Sequence, residues 1–448
     1  MKKIILILII ALMTASTIPQ VFEGIAETTS NVTPLYNKTQ APLPQDLPWY
    51  FIVVIGDNRP KAVAWVQLPQ VFYDSIKEIS MINPQALIGL GDHVGQGSRK
   101  QYEEFYKVMN SSDIINQMYA MGNHDVAYGM KAWQFWKEYM GPYTIIYDGI
   151  PGWRILLLSS EAGPDLWNQT LENAYSSLGN RHMIVGFHRP VKPYVHHNLQ
   201  DDYKEMSDAL LNYMKEYGRT PLVLQAHWHG WAEYHENGTD WLIVGSLGAP
   251  LYSTDSCEAA ATCVSNYHYL VLVLYPDGRY EYTPVLAGEN SGNLTVEYIN
   301  QTTVLVKNTK VDVYGNPADL PVRVEYEVGS GRELYQLNIV MIVPKETIGY
   351  IRLVEGPSGL KISSNISTSN SYIYIIDERT GEEITVYSGE INGLDLSQWI
   401  PGSPSTITTS SSATTIQTEN SGNRVDPTVI GAVIVLIVLI VAVYFIRR

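Results

Sequence analysis

Ala-Met-Gly-Asn-His-Asp, residues Ala120–Asp125, is the stretch on which the reading of this chain turns. It ends a short apolar run, Gln117–Met121, and bends at Gly122. It then presents an amide oxygen, an imidazole and a carboxylate in consecutive positions. A strand, a tight turn and a polar loop in that order is how α/β proteins place reactive groups, outside the carboxyl ends of their strands. Three polar side chains close to a core must each be satisfied. The chemistry therefore depends on whether other strand ends supply partners.

They do. Four more apolar runs end in groups able to bind a metal. Trp49–Ile55 leads to Gly56-Asp57-Asn58-Arg59-Pro60, and Ala86–Leu90 to Gly91-Asp92-His93-Val94-Gly95. Met183–Phe187 delivers His188-Arg189-Pro190, and Leu222–Leu224 delivers Ala226-His227-Trp228-His229-Gly230. Taken singly, each residue has a plain structural role: Asp57 or Asp92 as a helix cap, His188 as a turn residue, one of His227 and His229 as a half-buried core histidine. Taken together, carboxylate, amide and imidazole recur at successive strand ends with no thiolate. Such oxygen and nitrogen donors suit Mn, Fe, Zn, Co or Ni, and one bridging carboxylate lets two ions share a site.

The chain around these motifs is long and acidic. Its 448 residues exceed one small domain, and 45% apolar against 17% charged residues gives it a sizeable core. A formal charge of −15 repels polyanions, so non-specific binding to nucleic-acid backbone is disfavoured. With only Cys257 and Cys263, there is neither a disulfide framework nor a cysteine zinc site. The two either close one small loop, as suits a protein outside the cytosol, or remain free thiols.

Both ends point to a membrane. Lys2 and Lys3 precede the apolar run Ile4–Met13, which has the length of a signal-peptide core, with a small-x-small cleavage candidate at Gly24-Ile25-Ala26. Thr428–Ile446 is nineteen residues without a charge, followed by Arg447 and Arg448, which favour the cytoplasmic side. Eight Asn-x-Ser/Thr tripeptides, at Asn31, Asn37, Asn110, Asn168, Asn237, Asn293, Asn300 and Asn365, agree with export.

The segments read in order as a signal peptide (1–26), an exposed leader (27–47), a catalytic α/β domain (48–288), an all-β accessory domain (289–400), a Ser/Thr-rich solvated stalk (401–427), a membrane-spanning helix (428–446) and a cytoplasmic tail (447–448). In the α/β part, Trp65–Ile79, interrupted by Pro69, reads as a helix. So do Tyr102–Met109, 130–140, Asp165–Leu178 and Tyr203–Tyr217, while Ile155–Leu158, Trp241–Val244, Tyr269–Leu274 and Tyr280–Val285 read as strands. Past residue 290, alternation at Leu294, Val296 and Tyr298, and at Val322, Val324, Tyr326 and Val328, with Gly, Pro, Asn and Ser turns, predicts a β-sandwich without long helices. It carries no cluster of ligands, and its default role is spacer or partner recognition.

The order of motifs resembles the calcineurin-like metallophosphoesterase family, which includes purple acid phosphatases. Over about residues 48–286, the family's Asp-x-His, Gly-Asp-x-x-Asp, Gly-Asn-His-Asp/Glu, lone His and Gly-His-x-His correspond to Asp57-Asn58-Arg59, Gly91–Gly95, Gly122–Asp125, His188, and Ala226–His229. Gly245–Tyr252 is similar to the Gly-rich segment of some members. The resemblance implies a four-layer fold, two packed β-sheets flanked by helices. It implies that Asp92 bridges two divalent or trivalent ions, that Asp57 and His229 hold the first, and that Asn123, His188 and His227 hold the second. It places His124 above them toward the substrate, protonating or stabilising the leaving oxygen. Two cations neutralise a phosphate ester and lower the pKa of a water held between them. The implied activity is hydrolysis of a small phosphomonoester or nucleotide, with a phosphodiester or a non-catalytic binding role as alternatives.

Two departures stand out. Arg59 occupies the place of a histidine ligand and cannot ligate; it either grips a phosphate oxygen or pairs with Asp57. Gly95 replaces an acidic residue, which puts the support behind the ligands in doubt. His93 lines the mouth or compensates for that loss. Asp125 either orients His124 or makes a turn-stabilising hydrogen bond. Arg189 contacts phosphate or pairs with a carboxylate, and His196 and His197 either face a substrate or fall on a solvated loop.

Overall fold

Two central sheets are built around apolar strands buried along their whole length, Tyr50–Ile55, Ala86–Gly89, Trp153–Leu157 and Leu222–Gln225 among them. The computed structural model describes residues 32–400 apart from Tyr194, His196, His197, Ser358 and Ser369, together with the backbone of 407–408. One sheet has five strands in the spatial order Tyr280–Leu286, His268–Leu274, Tyr50–Ile55, Ala86–Gly89 and Gln117–Tyr119. The last three run parallel, with Ile52 opposite Ala86 and Leu87 opposite Gln117. The other sheet has seven strands, in the order Thr262–Val264, Trp231–Glu236, Thr239–Val244, Leu222–Gln225, His182–Gly186, Trp153–Leu157 and Ile145–Tyr147. Its four strands from Thr239–Val244 to Trp153–Leu157 are parallel.

Alternation within the strands sets the layers. Ile52, Val54 and Ile88 pack against Leu157, Ile184, Leu222 and Leu224 of the other sheet. Val53, Ile55 and Leu87 face away, against Phe72, Ile76 and Ile79 of the helix Gln70–Ile82 and Phe105 of the helix Arg99–Asn110. On the far side, Leu156, Val185 and Val223 meet Trp167 and Leu171 of Pro164–Ser176 and Leu210 of Lys204–Tyr217. The arrangement is helix, sheet, sheet, helix. Each fully buried Val, Leu or Ile contributes roughly 1.5–3 kcal/mol. Its consequence for the site is that the loops after the parallel strands of both sheets come to one edge.

Several expectations are corrected. The helix read from Trp65 starts at Gln70, because Pro69 stands outside it with ψ 147° as N-cap and disfavours helical backbone at Leu68. The leader is not exposed from residue 32 on. It forms a short helix, Leu35–Thr39, and buries Leu35, Leu43 and Leu47, while the Asn116 side chain accepts from the Ala41 N–H. Strands Ile145–Tyr147, Trp231–Glu236, Thr262–Val264, Thr303–Asn308 and Gly359–Ser364 add to those read from the sequence, where their apolar stretches run to three residues at most. Cys257 and Cys263 form a disulfide.

Past residue 290, two antiparallel sheets face one another. One holds Leu294–Asn300, Thr303–Asn308, Thr347–Gly356 and Gly359–Ser364. The other holds Glu383–Ser388, Ser371–Asp377, Glu333–Val343, Leu320–Ser330 and Ile407–Thr408, so two residues of the expected stalk pair at its edge, beside Glu327 and Val328. The sandwich is continuous with the α/β part: Trp49 packs edge-on to Tyr372 at 4.9 Å between ring centres. The Arg323 guanidinium donates to the Asn83 side chain at 2.5 Å, and Lys310 pairs with Glu78 at 2.9 Å. The expected signal peptide and membrane span lie outside the described residues, as do His196 and His197. Among the described residues no helix is long and apolar enough to cross a membrane.

Candidate metal centre

The strand-end loops are tied to one another before any side chain is considered. The Asp57 N–H donates to the Gly91 carbonyl (3.1 Å), Arg59 N–H to the Asp92 carbonyl (3.0 Å), Ala226 N–H to the His188 carbonyl (2.9 Å) and Ala249 N–H to the Asp57 carbonyl (2.8 Å). Three of the candidate ligands adopt left-handed backbone: Asp57 (φ +47°), Asp92 (φ +53°) and His227 (φ +67°). Such conformations are unfavourable for residues with a Cβ and persist only where surrounding bonds hold them. Gly122 is required by space, since a Cβ there would overlap the Asp92 backbone N and carboxylate.

Asp125 is the clamp. Its carboxylate accepts from four backbone N–H groups, those of Asp92 (2.9 Å), His93 (2.9 Å), Val94 (3.1 Å) and Gly122 (2.8 Å). Burial and the nearby Asp92 charge raise its pKa well above the usual range, against the pull of those donors. The orienting bond to His124 is not the one it makes; both oxygens are engaged by the backbone. The turn-stabilising alternative is the one observed. The His124 ring is held by Gly95, whose carbonyl accepts from Nδ1 at 2.6 Å. This also accounts for Gly95: a Cβ would overlap the backbone of Val63, so the segment after Pro60 fills the space of an acidic side chain. His93 does not line the mouth. It is fully buried among Phe105, Tyr119 and Trp136, its Nδ1 3.1 Å from Asn58 Oδ1, and burial lowers its pKa to about 3.

Around Asp92 the remaining candidates converge. His188 Nδ1 is 2.9 Å from the Leu90 carbonyl, which accepts its proton and leaves a lone pair on Nε2. That lone pair faces Asn123 Oδ1 at 3.1 Å, Asp92 Oδ1 at 3.3 Å and His227 Nδ1 at 3.0 Å. His229 repeats the device: Nδ1 is 2.6 Å from the Pro250 carbonyl, and Nε2 faces Asp57 Oδ1 at 3.3 Å. Donor atoms of Asp92, His188 and His227 lie within 4.8 Å of one another, and so do those of Asp57, Asp92 and His229. Asp57 Oδ1 and Asp92 Oδ2 are buried without a hydrogen-bond partner. Electron-pair donors facing electron-pair donors in a buried place fit cations, and the two groups share Asp92.

The charges agree. Burial would raise Asp92, but the imidazoles of His188, His124 and His227 and the Arg59 guanidinium outweigh it and hold the carboxyl below its usual range. Asp57 is likewise lowered, burial being outweighed by His229. Burial lowers His227 to about 3, so it is neutral at ordinary pH with a lone pair to offer.

His124 Nε2 stands 4.0 Å from Asp92 Oδ2 and its side chain is a quarter exposed, at the rim. The Arg59 Nε is 3.5 Å from Asp92 Oδ2, so Arg59 leans on Asp92 and not on Asp57. Arg189 is not directed at phosphate: it pairs with Glu161 and Asp202, each at 2.7 Å. One rim residue not singled out from the sequence is Tyr252, at the end of the Gly-rich segment. Its ring stacks on His229 at 4.2 Å and is 43% exposed, which leaves a face for another planar group.

No family model matches this chain, and no curated protein matches it in sequence. Solved structures do. GAP50, the anchor in the inner membrane complex of Plasmodium, matches over 60% of this chain and 90% of its own, at 14% identity and TM-score 0.43. The purple acid phosphatase PPD1 of yellow lupin matches over 60% of this chain at 13% identity and TM-score 0.43, and this chain spans about half of it (53%). PhoD matches over 81% of this chain and 74% of its own, at 10% identity and TM-score 0.42. These neighbours are members of the calcineurin-like metallophosphoesterase fold, the one that the motifs resemble.

Proposed function

We propose that this chain is a membrane-anchored, extracytoplasmic, metal-dependent phosphoesterase acting on a small phosphomonoester or nucleotide. The observation that carries the reading is the pair of donor groups sharing Asp92, with the His124 ring beside them. Asp57, Asp92 and His229 would hold one ion, and Asp92, Asn123, His188 and His227 a second. When bound, the ions supply positive charge to the phosphoryl oxygens and an activated water. His124 commits its Nδ1–H to the Gly95 carbonyl, so it would give a proton to the leaving oxygen only as the imidazolium, from a second proton on Nε2. The exposed Tyr252 ring offers a stacking surface for a base or aromatic leaving group. Export is supported by the surface: all seven sequon asparagines among the described residues, Asn37, Asn110, Asn168, Asn237, Asn293, Asn300 and Asn365, are exposed.

A second reading has its own observation. Arg59 stands beside Asp92 where a ligand is expected, as suits a non-catalytic binding protein on this fold; GAP50 is described as an anchor. One experiment separates them. The full-length chain in detergent, supplied with Mn, Fe, Zn, Co or Ni, should release p-nitrophenol from p-nitrophenyl phosphate, and His124→Ala should lower kcat about 10²-fold. A preference for bis-p-nitrophenyl phosphate would make it a diesterase. Inertness toward both esters with every metal would favour the binding protein.

A further inference from the structure

We infer that the two ion positions are unequal, that Arg59 makes them so, and that the chain binds one ion tightly and the second weakly. The inference rests on the metal-centre reading above and deepens it. The position between Asp92 Oδ1, Asn123 Oδ1, His188 Nε2 and His227 Nδ1 has four donors within 3.0–3.3 Å of His188 or belonging to it. Among the described residues no guanidinium or ammonium is paired with that oxygen of Asp92, which also accepts from the His124 N–H at 2.9 Å. The position between Asp57, Asp92 and His229 has three donors. One of them is Asp92, whose Oδ2 already has a fixed positive charge 3.5 Å away.

That charge is not a mobile surface arginine. Arg59 is 7% exposed, its backbone N–H is bonded to the Asp92 carbonyl, and its Nη1 donates to the Pro60 carbonyl at 3.3 Å. Its Nε is buried with no hydrogen-bond acceptor, so the guanidinium meets Asp92 as a charge, not through a well-directed bond. An ion entering the three-donor position must share that oxygen with the guanidinium and bear its repulsion at short range, where little water intervenes to screen it. It also lacks the fourth protein donor that an imidazole at position 59 would supply. The four-donor position has its fourth protein donor, and the Asp92 oxygen facing it, Oδ1, is not the one beside the guanidinium. It therefore fills first, and the three-donor position fills only at higher free metal.

The test reads ion binding, not turnover. Metal-free full-length chain in detergent is titrated with Mn(II) in a calorimeter, and retained ions are counted after gel filtration. The wild type should show two steps at least tenfold apart in Kd and retain about one ion. Arg59→His removes the charge and adds a donor; it should tighten the second step at least tenfold, leave the first unchanged and retain two ions. Arg59→Gln removes the charge alone and should tighten the second step by a smaller factor, which separates repulsion from ligation and guards against a misfolded histidine variant. Two equal steps in the wild type, or a second step unmoved in both variants, would overturn the inference while leaving the phosphoesterase reading intact. A chain that binds no ion at all would overturn both.

Discussion

Two clusters of buried charge lie in this molecule, and they are built on opposite rules. At the junction between the α/β part and the sandwich, donors meet acceptors. Arg323 donates to the Asn83 side chain at 2.5 Å, to its carbonyl at 3.1 Å and to the Tyr374 hydroxyl at 3.2 Å; the Asn83 amide in turn donates to Glu325 at 2.9 Å. Lys310 meets Glu78 and Ser291, and Tyr269 donates to the same Glu78. Asn338, opposite Glu325 in the sheet, and the Trp49 indole N–H are exceptions, each buried without a partner. At the strand ends, acceptors face acceptors and carboxylate oxygens stand orphaned. A buried charge with its partner holds a fold together; a buried charge without one is explained by something that binds.

Exchanging residues between the two rules should break the comparison or sharpen it. The largest effect is expected at Asp92, the one residue common to both donor groups. Asp92→Asn should cut kcat about 10³-fold or more, ~4 kcal/mol of barrier, and weaken both steps of ion binding; a variant that binds ions as the wild type does would contradict the shared role. Next is Arg323→Ala, which strands the junction's partners in a dry place and should lower unfolding free energy by about 3–5 kcal/mol. In that variant the affinity for metal should stay as in the wild type, measured below the unfolding midpoint. Were the ions lost while the fold survived, the two clusters would not be independent.

The smallest effect belongs to Glu383, whose carboxyl is pushed up to about 7 by burial and by the charge of Asp46. An acid whose folded pKa is raised holds its proton more tightly folded than unfolded. Stability is then lost as pH climbs from the unfolded value, about 4.3, through 7. Glu383→Gln should therefore stabilise the chain at pH 8 by under about 1 kcal/mol, since the group is largely solvated, and change nothing at pH 4. Thermal melts of both proteins at the two pH values check the sign.

What the sequence disclosed follows the same division. Asp57, Asp92, Asn123, His124, His188, His227 and His229 each end an apolar run, so their type and position were readable without knowing their neighbours. The junction was not readable. Asn83, Glu78, Lys310 and Arg323 are lone polar residues, and their pairings join positions up to 242 residues apart. The same blindness applied to Asp125, whose motif named it but whose four partners are main-chain groups with no sequence signal. Pro69 was visible as an interruption, yet only the structure shows that the residues before it form a loop that occupies the space beside Gly95. The leader misled because Leu35, Leu43 and Leu47 are too widely spaced to look like a pattern, although each finds a buried place.

The left-handed turns at Asp57, Asp92 and His227 carry a last consequence. The turns at Asp57 and Asp92 are maintained by peptide groups and by Asp125, none of which is a proposed ligand; at His227 the main-chain N–H is held by Asp57 Oδ2 at 2.8 Å. The cradle is thus moulded by the polypeptide itself, and loading it is an act of filling, not of folding. An emptied chain should keep its shape and accept ions afresh.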